Sequence, residues 1–414
     1  MADILSDTDS LRQSGTRNFW RYWTGSTISN AGDSATAVAM PLVAVLILHS
    51  TAFEVGLVSG AGDLAWLMIG LPAGVIVARL PLRGVQAAMD LVRAAAIASI
   101  PVAAGLHVLS LAQLFVVALV VGLAGVVFMV GNSTFLPSIV SKEELARRNS
   151  LMASADAATM LGGPALGGVL VQTIGAAMTL IVDSVSYVAS AVLLYRLPRP
   201  ETAQSSSPHG SVWSSVVDGL KYVAGHRVIA SCAAMVTAVN FVAGALTPLT
   251  PLFLVRTLGS PATVVGAVLA TDGIGALLGA AFTPKLADRI GSGRAVLGAT
   301  VVCALSVVLM PLASPKWGVL LFAVGNTGFA LGVAILSVLT RTHRQTVTPR
   351  DLLSRVMATV RFFSWGAIPI GAVAAGTVAS LAGVRTALWG TCLFAALPAL
   401  VLWSSPVRRH RDLS

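Results

Sequence analysis

Residues 110–138 read SLAQLFVVALVVGLAGVVFMVGNSTFLPS, a run without a single Asp, Glu, Lys or Arg. A bilayer core ~30 Å thick is crossed by about 20 helical residues, so this run spans it with length to spare for tilt. Working outward in both directions, further long apolar stretches cover 21–48, 53–78, 86–106, 148–173, 177–195, 228–255, 262–287, 295–313, 317–340, 355–381 and 385–404. With 110–138 they make twelve. A composition that is 56% hydrophobic and 11% charged, with mean hydropathy +0.84, leaves too little polar surface for a soluble protein of this length. The expected fold is an all-α membrane protein with twelve transmembrane helices.

The charges give the orientation. Of the 27 Lys and Arg, 22 fall on one face, in the two tails and at alternate gaps; only Arg256, Lys316 and Arg385 fall on the other face, and Arg93 and Arg361 lie inside spans. Because loops left in the cytoplasm keep an excess of Lys and Arg, this asymmetry places both termini in the cytoplasm of a multi-pass protein, expected in a bacterial plasma membrane. The net charge of +10 follows the loops, so its partner is the anionic inner leaflet of the lipid bilayer rather than nucleic acid. Cys232, Cys303 and Cys392 sit within apolar spans at no paired spacing and imply neither disulfide nor zinc. Trp20, Tyr22 and Trp23 stand where an interfacial aromatic anchor is expected.

The one long polar gap contains Pro198, Pro200 and Ser205, Ser206, Ser207, Pro208. It divides the chain into an N-terminal tail (1–20), a first bundle of six spans (21–196), a linker (197–226), a second bundle (227–404) and a C-terminal tail (405–414). Within the linker, Val212, Trp213, Val216, Val217, Leu220, Tyr222 and Val223 alternate with polar residues at a helical period, which reads as an amphipathic helix on the inner membrane surface.

The two bundles repeat one another. Asn30, Pro41, Ser50, Ala52, Val55, Gly56 and Arg79 recur 210 positions on as Asn240, Pro251, Ser260, Ala262, Val265, Gly266 and Arg289. Met152 and Pro164 recur 205 positions on as Met357 and Pro369. Six-helix halves related by a pseudo-twofold axis along the membrane normal are a transporter architecture, with substrate bound between the halves near the midplane.

Two motifs then carry a family resemblance over about residues 17 to 405. The loop Asp288, Arg289, Ile290, Gly291, Ser292, Gly293, Arg294 resembles the cytoplasmic signature of the major facilitator superfamily, and its mate carries Arg79 and Arg83 with Ala78 where the signature has Asp. In the fifth span, Gly163, Pro164, Ala165, Leu166, Gly167, Gly168 resembles the antiporter motif of that family's exporters. Pro164 removes a helical N–H, and Gly163 and Gly167 permit close approach of a neighbouring helix, which suits a point that bends or seals. Pro41, Asn149 and the stretch Asp183, Ser184, Ser186, Tyr187 look most like the branch of enterobactin-type and macrolide-type exporters. The resemblance implies a proton-coupled antiporter that exports a small amphiphilic compound by alternating access and works as a monomer, with Arg79, Arg83, Asp288, Arg289, Arg294, Gly163, Pro164, Gly167 and Gly168 in gating. A facilitator or importer on the same fold is the alternative.

Ionisable groups inside spans cost about 2.5 to 3.5 kcal/mol each on insertion scales, so each calls for a reason. Asp33 lies ~18 Å along the first span from Arg21, near the midplane, and its repeat mate is Ala243. It is the leading proton-coupling candidate, followed by Asp63 and Asp183; these two and Asp272 are expected in the outer halves of their spans, within reach of water. Asp90 and Arg93, three apart, read as a local ion pair. Nothing in the sequence supplies Arg361 with a counter-charge. The resembled family lines its cavity with the first, fourth, seventh and tenth spans, which here offer Asn30, Asn132, Asn240 and Asn326 as hydrogen-bonding groups, with Trp66, Phe241, Phe329 and Trp365 for apolar contact. None of the four lysines follows a glycine, so no phosphate-binding loop exists. Neither a nucleophile nor a metal-ligand constellation emerges, and the reading is of a protein that is not an enzyme and carries no cofactor.

Overall fold

The structure, a computed structural model, describes residues 2–70, 72–73, 81–140, 142–197, 212–403 and 411–412. Thirteen α-helices, with a π-helical segment at Phe253–Thr257 and a 3-10 turn at Lys316–Gly318, make up most of the described chain, and among its residues there is no strand. The first half holds α1 (Ala2–Leu46), α2 (Ala52–Ile69), α3 (Leu82–Gly105), α4 (Leu111–Ile139), α5 (Lys142–Ile174) and α6 (Ala176–Tyr195). After α7 (Val212–Gly225) the second half holds α8 (Arg227–Leu252), α9 (Ala262–Ile290), α10 (Ser292–Leu309), α11 (Val319–Val347), α12 (Arg350–Ala382) and α13 (Val384–Trp403). Eleven of these are long and apolar enough to cross a membrane. Besides the short α7, the exception is α1, whose first half of the span carries Ser26, Thr27, Ser29, Asn30, Asp33 and Ser34; it nevertheless packs along α5 and α6 as the sixth member of its bundle.

The helix ends follow local chemistry. Thr51 caps α2: the Glu54 amide donates to Thr51 Oγ1 and the Thr51 amide to Glu54 Oε2, a reciprocal box that satisfies two otherwise orphaned donors. Single glycines at positive φ, Gly175 (88°) and Gly383 (89°), turn α5 into α6 and α12 into α13, at equivalent places in the two halves. Side chains with a Cβ rarely adopt that conformation.

Inside the first half α1 packs on α5 and α6, α3 on α4 and α6, and α2 on α4; inside the second half α8 packs on α12 and α13, α9 on α11, and α10 on α11 and α13. Between the halves the main contacts are α2 with α12 and α5 with α9, two copies of one interaction exchanged by the pseudo-twofold. Glycines make these contacts close. A Cβ on Gly56 would come within 2.6 Å of the Ala372 carbonyl oxygen and 3.2 Å of Gly376 Cα; a Cβ on Gly266 would come within 2.7 Å of Gly168 Cα. Both notches lie toward the ends of the bundle remote from the termini. For clarity, the end that carries the termini, α7 and most Lys and Arg is called the basic face.

The N-terminal residues from Ala2 are helical and continuous with the first span, no proline interrupting α1 before Pro41. Two expectations change. Tyr22 is no interfacial anchor; it is buried and stacked on Phe135, 5.1 Å between centroids, and Trp23 Nε1 donates to the Leu151 carbonyl, while Trp20 stays exposed. The α7 helix does not simply lie on a surface either, because Gly219 seats it against Arg355 and Thr359 of α12. The linker prolines and serines and Arg79 lie outside the described residues.

Candidate functional site

Two polar sites stand out among the described residues, one inside the first half and one between the halves. The first is built by α1, α3, α4 and α6. Tyr187 on α6 donates its hydroxyl to Asp33 Oδ1, and Arg93 on α3 stands 3.5 Å from Asp33 Oδ2. The same guanidinium pairs with Asp90 one helical turn away and lies over two ring faces, 4.3 Å from the Tyr187 centroid and 4.5 Å from that of Phe128 on α4. Asp183, one turn before Tyr187, accepts from Thr36 on α1 and from Ser186 Oγ at 3.1 Å. Three carboxylates and one arginine therefore share a few turns of three helices. Arg93, Asp90, Asp183 and Tyr187 are buried, whereas the Asp33 side chain keeps 41% of its surface accessible. Of the three carboxylates only that of Asp33 keeps substantial accessible surface, and it is held by two contacts, from Arg93 and Tyr187.

This geometry corrects two sequence readings. Asp183 is not water-reachable: it is fully buried, and its carboxyl accepts from Thr36 of α1 and from Ser186 of its own helix. The pair Asp90 and Arg93 is not merely local, because Arg93 also holds Asp33. Asp63 on α2 makes no ion pair among the described residues, and Asp272 stands beside Asn326 on α11. Asn30 on α1 donates to Asp156 of α5 at 2.7 Å.

The second site is a cavity of about 840 Å³ between the halves, lined by the basic-face halves of α8, α11 and α12 together with Trp66 and Gly70 of α2 and Val130 of α4. Arg341, Gln345 and Met357, near the basic-face ends of α11 and α12, belong to its wall, so it opens toward that face. At the remote ends the halves are closed. Besides the glycine notches, Arg256 donates to the Ser50 carbonyl and the Ala262 amide donates to Gln172 Oε1 at 3.1 Å, each bond joining one half to the other. Such a molecule is open on one side and shut on the other.

Of the residues expected to bind substrate, Trp66, Asn240 and Trp365 line the cavity. Asn240 Nδ2 donates to the Ser364 carbonyl at 2.9 Å. The others are elsewhere. Asn326 is buried between α9 and α11, donating to the Val268 carbonyl; Phe329 is core; Phe241 packs against Phe394 of α13; Asn30 and Asn132 are not part of the lining. Sequence reasoning missed Arg341 and Arg344. Arg361, left without a counter-charge by the sequence, sits 4.2 Å over the Trp66 ring and 4.4 Å over the Trp365 ring, its Nη2 turned to Met129 Sδ at 3.5 Å. Those rings stabilise a cation by their quadrupoles without neutralising it.

The gating candidates divide by place. Gly163 and Gly167 face Ser34 and Ala35 of α1, while Pro164 and Gly168 face Gly266 of α9, so the six-residue motif packs one neighbour within its half and one across the interface. Arg83 donates to the Leu197 carbonyl at 2.6 Å and lies over Tyr195, which ties the start of α3 to the end of α6. Asp288, Arg289 and Arg294 are exposed at the turn from α9 to α10. There the C-terminal segment returns: the Gly293 amide donates to the Arg411 carbonyl and the Ser292 amide to Asp412 Oδ1, both at 3.0 Å.

Comparison with known proteins follows the same lines. A family model described as transmembrane secretion effector matches residues 10–413. The chain is 29% identical over 386 residues to the multidrug efflux pump Tap of Mycolicibacterium fortuitum, covering 90% of this chain and 91% of that protein. Among solved structures, a mutant of the nucleoside transporter NupG superposes with a TM-score of 0.81 at 12% identity, over 94% of this chain and 99% of that one. A bacterial homologue of the iron transporter ferroportin in its inward-facing state gives 0.74 at 17% identity, over 94% and 98%. The two structural likenesses speak to the fold.

Proposed function

We propose, from the premise that this chain belongs to the transmembrane secretion effector family of the major facilitator superfamily, that it exports a small amphiphilic molecule in exchange for protons. The protein is an efflux-type membrane transporter and not an enzyme. The proposal adds the coupling ion, the direction, a plasma-membrane location with both termini cytoplasmic, and action as a monomer. The observation that carries the coupling is the Asp33 carboxylate, partly accessible and held by Arg93 and Tyr187 inside the first bundle.

The cycle follows from the two sites. With the cavity open to the basic face, a ligand enters among α2, α8, α11 and α12. In this state Asp33 is paired with Arg93. Closing the basic face requires the halves to rock about the α2–α12 and α5–α9 contacts, where glycines let backbones slide past each other at van der Waals distance. Protonation of Asp33 from the far side removes its charge and leaves Arg93 to Asp90 alone. That loosens α1 from α3, and α1 is the helix against which Gly163 and Gly167 of the antiporter-like motif pack. One proton thus biases a helix shared by the coupling cluster and the gate. A ligand or proton shifts such an equilibrium only by binding one state better than the other.

The test uses purified protein in proteoliposomes with an imposed pH gradient and a panel of amphiphilic compounds. Uptake against the substrate gradient, driven by the pH gradient and abolished by a protonophore, is expected. Flux that equilibrates without regard to the pH gradient would favour a facilitator instead.

A further inference from the structure

The large cavity carries three arginines and, among its described lining residues, no Asp or Glu. Arg361 has two aromatic faces and a methionine sulfur beside it but no carboxylate. A guanidinium presents five N–H donors in a plane suited to carboxylate or sulfonate oxygens, and a thioether is a weak acceptor for them. Arg344, on the wall one helical turn below Thr340, is 8% exposed, and its Nε and Nη1 have no hydrogen-bond partner. None of the three ion pairs among the described residues involves Arg341, Arg344 or Arg361. Buried donors without partners are costly, and Arg344 shares its wall with two further arginines, Arg341 and Arg361. Val236, Val239, Leu336 and Ile368, with the edge-to-face pair Trp66 and Trp365 at 4.7 Å, give the wall an apolar and aromatic stretch beside neutral polar groups such as Asn240, Ser337 and Gln345.

We propose that this cavity selects organic anions: an amphiphile whose carboxylate or sulfonate is taken by Arg344 and Arg361 and whose ring or chain lies along the apolar wall. This rests on the reading of the cavity as the substrate site and narrows its chemistry. An aromatic acid fits both features at once. A cationic amphiphile meets three like charges and is excluded, which is specificity by repulsion as well as by attraction.

The test is isothermal titration calorimetry on the full-length protein with three probes of one shape and different charge: 2-naphthoate, 2-naphthamide and 2-naphthylmethylammonium. The naphthoate is expected to bind at least ~10-fold more tightly than the amide, as one charge-assisted hydrogen-bonded contact commonly gives, and the ammonium most weakly. Arg361→Gln and Arg344→Gln are expected to erase the preference, and Arg361→Lys to keep part of it; thermal unfolding of each variant separates lost binding from lost folding. Equal affinities for the three probes would overturn the proposal, and so would an Arg361→Gln, Arg344→Gln double variant that keeps the wild-type preference. Phosphatidylglycerol in the nanodisc is expected to leave naphthoate binding unchanged; competition that abolishes it would assign the arginines to lipid headgroups and overturn the substrate reading. Preferential anion binding in a protein that moves no probe across proteoliposomes would refute transport and leave the anion site standing.

Discussion

Tyr187 donates its hydroxyl to the carboxylate of Asp33 across the α1–α6 contact, and both residues touch the same guanidinium, that of Arg93. A proton arriving at Asp33 therefore changes three helices at once. Under the proposed coupling, a proton at Asp33 weakens both contacts and loosens α1 from α3.

Asp33→Asn is expected to abolish transport driven by a pH gradient, with insertion and thermal stability retained. Substrate exchange at equal pH on both sides should persist, because the amide imitates the protonated acid. Tyr187→Phe should shift the pH dependence of transport while leaving turnover at the optimum within about tenfold, the scale of a single hydrogen bond. Full gradient-driven transport by Asp33→Asn in reconstituted vesicles would remove Asp33 from the mechanism.

Arg93→Gln leaves Asp90, fully buried, without its partner. Breaking a buried pair on one side costs roughly 3–5 kcal/mol, so a marked fall in the detergent-solubilised protein's unfolding temperature is expected. Adding Asp90→Asn should restore most of that stability. A double variant no more stable than the single one would show that Arg93 acts through its rings and Asp33 instead.

Gly266→Leu puts a side chain where Pro164 and Gly168 now lie against α9. The closure remote from the basic face cannot form around it, and the population should move toward the opposite opening. A single cysteine in place of Gln172, in a background without the three native cysteines, reads this directly: its labelling by an impermeant maleimide from that side should rise several-fold. Unchanged labelling would mean that the notch is packing alone.

Asp412→Ala removes the acceptor of the Ser292 amide at the start of α10. Loss of such a cap costs about 1 kcal/mol, too little to unfold the bundle but enough to release the end of the chain. Faster tryptic cleavage after Arg411 is the expected sign, read by mass spectrometry on the folded protein.

The helical membrane fold and its duplication were legible because both are written in one dimension. An apolar run of some twenty residues and a recurrence such as Gly56 with Gly266 depend on neighbours along the chain, and the lipid imposes the rest by requiring every backbone group to be satisfied within a helix. The motif around Pro164 was readable as a close-packing point for the same reason. What it packs against was not, since Gly167 and Gly168 stand next to each other in sequence yet face α1 and α9.

The candidate sites belong to the tertiary structure. Asp33 is visible as a lone acid in an apolar helix, but that Arg93, sixty positions away, and Tyr187, further still, both reach it depends on how α3 and α6 wrap around α1. Likewise the asparagines of α1, α4, α8 and α11 look alike in sequence, and only the rotation of each helix decides that Asn240 lines the cavity while Asn326 is buried beside α9. A bilayer fixes which segments are helices and which loops stay on the basic side; it is indifferent to the angle at which each helix turns its polar residues. That angle is chosen by close packing between helices, through contacts such as Gly163 against Ser34 that no linear pattern contains.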